Sequence, residues 1–291
     1  MASIDLVKPA EPVTAITPFT RAVFVVGVCL TTGTGIALFA APARTSTYWA
    51  WTIKAPLTAA FFGAGYIGAA VGLAWAACER TWRCARIIAV LAFTLTTLAL
   101  VDTLRDLGGF SFHRGGFVEV AAWSWLAVYV ALPPLVLAAF VQQELRGGAR
   151  DDDAELPALV ATRVVFGGAG AALAVFGVLL LVPVSSLADR WPWPLPTLPA
   201  TVVGAWLCTI AAGLLWFAVR EPEWQNARAG VVPMVASLVL DLVAAGRLHG
   251  GFRGTVAPTL YVAGVAVLVA VVATAAIVEE RRLRGHLERD G

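Results

Sequence analysis

The sequence predicts an all-α fold, a polytopic membrane bundle of eight transmembrane helices built as two parallel four-helix repeats. Three observations predict it. Of 291 residues, 59% are hydrophobic and only 14% charged, against about 25% charged in a soluble domain. The apolar residues gather in runs of about 20, enough to cross a hydrocarbon core as helix, without the alternation of a barrel strand. The second half of the chain also repeats signposts of the first.

The runs fall at residues 20–41, 56–77, 85–105, 119–142, 159–182, 199–219, 229–247 and 258–279. Lipid offers the backbone no partners, so helices are the structure such runs must take. Residues 1–18, MASIDLVKPAEPVTAITP, lack a signal-peptide core and read as a cytoplasmic tail. Residues 19–144 form the first four-helix repeat, and Pro56 suits the first turn of its second helix. Pro133 and Pro134 stand inside helix four, where they are expected to kink it and free carbonyls. Residues 145–158 read as a cytoplasmic linker, with Gly147 and Gly148 and the Asp151–Asp153 run, whose spacing suits a solvated tether rather than a metal site. Residues 159–280 form the second repeat, with Pro199 placed like Pro56, and residues 281–291 a cytoplasmic tail.

Alternate loops set the orientation. With the N-terminus inside, Lys8, Arg21, Arg80, Arg83, Arg86, Arg146, Arg150, Arg163, Arg220, Arg228, Arg281, Arg282, Arg284 and Arg289 are cytoplasmic, fourteen of the 21 basic residues. The excess on that side places both termini in the cytoplasm. Two lysines against nineteen arginines suit a high-GC bacterial genome, and the cytoplasmic membrane of a bacterium.

The repeat holds a register of 141 or 142 residues. TRAVF at Thr20–Phe24 matches TRVVF at Thr162–Phe166; Pro42 matches Pro183; Gly72 and Trp75 match Gly213 and Trp216. Glu79, Trp82 and Arg86 match Glu221, Trp224 and Arg228, and Arg105 with Gly108–Phe110 matches Arg247 with Gly250–Phe252. Four helices per unit give both copies one orientation, hence a pseudo-two-fold along the membrane normal. Small residues such as Gly33, Gly167, Gly168 and Gly170 would let the halves pack closely.

YWAWTIKAPLTAAFFGAGY (Tyr48–Tyr66) returns as WPWPLPTLPATVVGAW (Trp191–Trp206). These paired strings resemble those of multi-pass membrane proteins of high-GC Gram-positive bacteria. The resemblance implies a topology and no chemistry.

Trp49, Trp51, Trp123, Trp125, Trp191 and Trp193 fall beside the outer ends of helices and are expected to form an aromatic belt at the headgroups, with a stacking platform for a lipid or glycan as the alternative. Asp102 and Asp241 are the acids deepest in apolar runs. An ionisable group there is costly and marks a candidate site. Either acid is alternatively a structural partner for arginine: Arg105 one turn after Asp102, or an arginine of a neighbouring helix for Asp241. Arg105 and Arg247, with Arg114 and Arg253, line the outer loops as an anion rim or as snorkelling residues. His113 and His249 sit in matching loops, but no further ligands at metal or haem spacing accompany them. Four cysteines without a CxxC pair read as free thiols.

No Walker, HExxH or GxSxG motif occurs, and no basic patch suggests nucleic acid. No cofactor and no metal are expected. The reading favoured is a transport or binding component for an amphipathic or anionic solute or a lipid. An integral membrane enzyme at the outer leaflet is one rival, and a structural subunit of a homo-oligomer or membrane complex is another.

Overall fold

The computed structural model describes residues 15–146, 156–182, 186–221 and 223–290. Residues 1–14 of the tail expected over 1–18, the linker's Gly147, Gly148 and Asp151–Asp153, and Pro183 lie outside the described residues.

Eight long helices carry the fold: α1 (Pro18–Ala40), α2 (Pro56–Cys78), α3 (Trp82–Arg105), α4 (Gly116–Leu145), α5 (Val160–Leu181), α6 (Thr197–Val219), α7 (Trp224–Arg247) and α8 (Ala257–Asp290). All eight are long and apolar enough to cross a membrane. The chain is thus an all-helical, multi-pass membrane protein. Among the described residues extended pairing is limited to two isolated bridges, Ala15 with Thr81 and Pro157 with Glu223.

Helix starts follow capping chemistry. Thr17 caps α1, its Oγ1 accepting from the Thr20 backbone N–H at 3.1 Å, and Pro18 opens the first turn. Helices α3 and α7 begin three and five residues before their apolar runs. Their first turns are polar yet buried: Trp82 and Trp224 are 3% and 2% exposed, and their indoles donate to Glu144 at 2.6 Å and Glu280 at 3.2 Å. Hydropathy under-reads a turn whose tryptophan is buried and bonded inside the protein. Helix α4 runs through Pro133 and Pro134 as one element.

The tail expected after residue 280 is helical instead, continuing α8 to Asp290. Glu279 explains the extension. It is fully buried and accepts from the Leu159 backbone N–H at 2.8 Å, Thr162 Oγ1 at 2.6 Å and Arg282 at 2.6 Å. The carboxylate satisfies donors at the start of α5, a favourable place for negative charge.

Helices α2, α3, α6 and α7 form the centre, and α1, α4, α5 and α8 the periphery. Between 39% and 61% of each central span is buried, against 6% to 28% of each peripheral one. Helix α1 packs on α2 and α5 on α6, while α2 meets α7 and α3 meets α6 across the middle. Glycines set the first two contacts. A methyl on Gly35 would lie 2.8 Å from Ile67 N, and one on Gly63 would lie 2.5 Å from Phe39 N. In α5 and α6, one on Gly204 would lie 2.7 Å from the Gly177 carbonyl oxygen. Backbones approach there because nothing larger than hydrogen intervenes. Gly33 and Gly168, expected to let the two halves pack closely, face open space, and Gly170 packs against α6 within its own half.

At the end of the bundle where α1 begins and α8 finishes, a polar seam joins two groups of four, α1–α4 and α5–α8. Arg86 of α3 bonds Glu221, in the α6–α7 connection, through both Nε and Nη2, and reaches Glu144 of α4 at 3.3 Å. Glu221 is 3% exposed, and its second oxygen accepts from the Trp216 indole at 2.8 Å. Arg83 adds an ion pair to Glu223 at 3.7 Å.

Candidate functional site

A cavity of about 660 Å³ runs between the two groups of helices, within the range of small-molecule sites. Its walls come from α1, α2, α3, α4, α6 and α7, with a contribution from Phe166 of α5. They are almost wholly apolar and include no arginine, lysine or histidine. Exposed residues on α1 and α4, among them Leu30, Phe117 and Val120, belong to the wall. The cavity therefore reaches the lipid-facing surface between those two helices.

Its polar groups gather where the paired tryptophans lie. Tyr66 of α2 and Tyr129 of α4, each 5% exposed, join hydroxyl to hydroxyl at 2.6 Å. The Tyr66 ring meets Trp206 of α6 edge-on at 5.1 Å between centroids and Trp49 at 6.4 Å. Trp125 packs on Tyr129 at 4.2 Å and on Trp49 at 5.3 Å. All five rings line the cavity. The Trp125 indole is engaged by Thr103 Oγ1 at 2.9 Å, and the Tyr48 hydroxyl by the Ala37 and Ala41 carbonyls at 3.0 Å each. Burial pushes Tyr48 up to about 12, so it stays a donor at the end of α1. Trp49 and Trp206 differ: each indole N–H is buried with no acceptor.

Of the six tryptophans expected at the outer ends of the helices, Trp49, Trp51, Trp125, Trp191 and Trp193 are between 1% and 9% exposed, and Trp123, at 52%, faces outward. Trp193 donates across the molecule to Thr58 Oγ1 of α2 at 2.7 Å, and packs on Tyr261 at 5.1 Å.

The candidate acids part company. Asp241 of α7 lies on the cavity wall, is 7% exposed, and its carboxylate accepts from the Tyr261 hydroxyl of α8. Its structural partner is this tyrosine, not the arginine expected. Asp102 of α3 lies outside the cavity lining, is 2% exposed, and neither of its oxygens has a hydrogen-bond partner. The Thr201 hydroxyl beside it gives its proton to the Leu198 carbonyl at 3.0 Å. Asp102 also makes no ion pair with Arg105, which points outward.

Nor do the loop residues join the site. Arg247 donates to the Phe39 carbonyl and lies 4.7 Å over the Phe39 ring, holding the end of α1. Arg105, His113 and His249 are exposed, and His249 Nδ1 lies 3.1 Å from the Gly246 carbonyl oxygen. No group of three metal-ligating side chains occurs among the described residues. The residues that sequence reasoning passed over are Tyr66, Tyr129, Trp206 and Tyr261. A phenol or indole inside an apolar span needs a hydrogen-bond partner, and that need was the available signal.

No protein-family model, no curated protein and no solved structure matches the chain.

Proposed function

We propose that this protein binds or transports one amphipathic, lipid-like molecule, held in the cavity between two parallel four-helix repeats of a bacterial cytoplasmic-membrane protein. The observation that carries the reading is the apolar cavity of about 660 Å³ reaching the lipid-facing surface between α1 and α4. A ligand entering laterally leaves bilayer for protein without crossing water. The lining lacks any cationic side chain, so of the two solute classes expected, the amphipathic one fits and the anionic one does not. Asp241 is the wall's one carboxylate, and the reading gives it control of occupancy.

The repeat is supported by paired features at its register. The bridges Ala15–Thr81 and Pro157–Glu223 are both displaced by 142 residues, and the close glycines Gly35 and Gly63 correspond to Gly177 and Gly204. The packing of α2 on α7 and of α3 on α6 is the exchange a two-fold axis produces. Both termini in the cytoplasm follow from the loop arginines.

The test is native mass spectrometry of protein released from lipid nanodiscs. Wild type should carry one lipid-sized adduct. Ala69→Phe, which fills the cavity from α2, should lose it, and Asp241→Asn should change its occupancy. A folded Ala69→Phe variant with wild-type adduct would overturn the reading, and a wild-type-like Asp241→Asn would remove Asp241 from it.

A further inference from the structure

Resting on that reading, we infer that the cavity's occupant carries a protonated amine and no phosphate, its N–H group bonding the Asp241 oxygen that Tyr261 leaves free. Asp241 is 7% exposed and lies on the cavity wall. Its Oδ2 accepts from the Tyr261 hydroxyl. Its Oδ1 has no hydrogen-bond partner among the described residues, yet a water-sized molecule can reach it. Asp102 supplies the contrast: both of its oxygens are sealed, and it lies outside the lining. An unpaired oxygen marks a ligand only where, as at Asp241, it opens on a cavity.

The surroundings of that oxygen decide the ligand's charge. Gly72 and Gly68 of α2 face Pro233 and Ser237 of α7. One more turn of this antiparallel register sets Asp241 level with Ala64. Beside Ala64 is Gly65, against which the Trp206 ring lies, since a methyl there would be 3.0 Å from it. Tyr66 follows, its ring centroid 5.1 Å from that of Trp206. No lysine, arginine or histidine lines the space, so the wall offers the carboxylate no counter-charge. A carboxylate taken out of water needs one, and an ammonium supplies it through a charge-assisted bond. The rings add to the attraction, because an organic cation is drawn to an aromatic face. A hydroxyl would give the oxygen a bond but no charge. A phosphate beside the amine, as in an aminophospholipid, would bring a second anion to a wall without cations. The apolar remainder of the lining takes the hydrocarbon body of the amine.

The experiment measures Kd at neutral pH, in a non-ionic detergent, for dodecylamine, dodecanol and a lysophosphatidylethanolamine of the same chain length. Dodecylamine should bind wild type about tenfold tighter than either of the others. Asp241→Asn keeps the size of the side chain and removes its charge. It should weaken dodecylamine about tenfold and leave dodecanol within about twofold. Asp102→Asn is the control and should leave dodecylamine binding unchanged.

The inference falls if dodecanol or the lysophospholipid binds wild type as tightly as the amine does, or if a folded Asp241→Asn variant keeps the preference. The wild-type comparison decides alone should that variant fail to fold. If Ala69→Phe abolishes probe binding while no head is preferred, only the assignment of the head is lost. If Ala69→Phe leaves binding unchanged, the cavity reading itself is lost.

Discussion

Residues of one type that stand 142 positions apart, among the first four and the last four helices, are used to opposite ends. Trp193, in the second group, spends its indole N–H on Thr58 across the molecule at 2.7 Å. Trp51, its counterpart in the first group, has no acceptor. Arg86 binds two carboxylates at the polar seam, whereas Arg228 has an Nε without a partner. The lesson is that like residues at one spacing are bonded across the molecule in one place and left without a partner in the other.

That contrast can be broken at several points, the largest effect first. Glu221→Ala strips the seam's most buried carboxylate from Arg86 and is expected to cost about 3 kcal/mol, as for other broken buried pairs. Glu79→Ala loses only the Trp75 indole bond of 2.7 Å and should cost about 1 kcal/mol. Equal losses in denaturant titrations would erase the asymmetry. Next, Gly63→Ala drives a methyl onto the α1 backbone and should cost about 2 kcal/mol, whereas Gly33→Ala should leave the midpoint unchanged. A tolerant Gly63 would mean that α1 and α2 separate more easily than their packing implies.

The smallest effect sharpens the tryptophan comparison. Trp193→Phe removes the bond to Thr58 and should lower stability by about 1 kcal/mol. Trp51→Phe removes an N–H that bonds nothing and should be neutral or slightly stabilising. The reverse order would show that the two rings had been assigned the wrong tasks.

Much of this architecture is legible in the chain because length and hydropathy report directly on bilayer thickness. All eight helices fall where apolar runs lie, and Pro18, Pro56 and Gly63 do what their chemistry demands. The hidden part is rotational. A run of residues gives depth along a helix but not the face it turns inward, so the packing of Trp49 on Trp125 was not legible. Asp102 and Asp241 read alike and occupy different surroundings. Trp82 and Trp224 start their helices inside polar sequence because Glu144 and Glu280, 62 and 56 residues away, complete them. Tertiary partners of that kind leave no local signal.

The most direct test of the account is a density map of the protein in a lipid nanodisc, read between α1, α2, α4 and α6. The account predicts elongated non-protein density in the cavity, leaving the bundle between α1 and α4. A bundle in which α1 and α4 close over an empty space would contradict it.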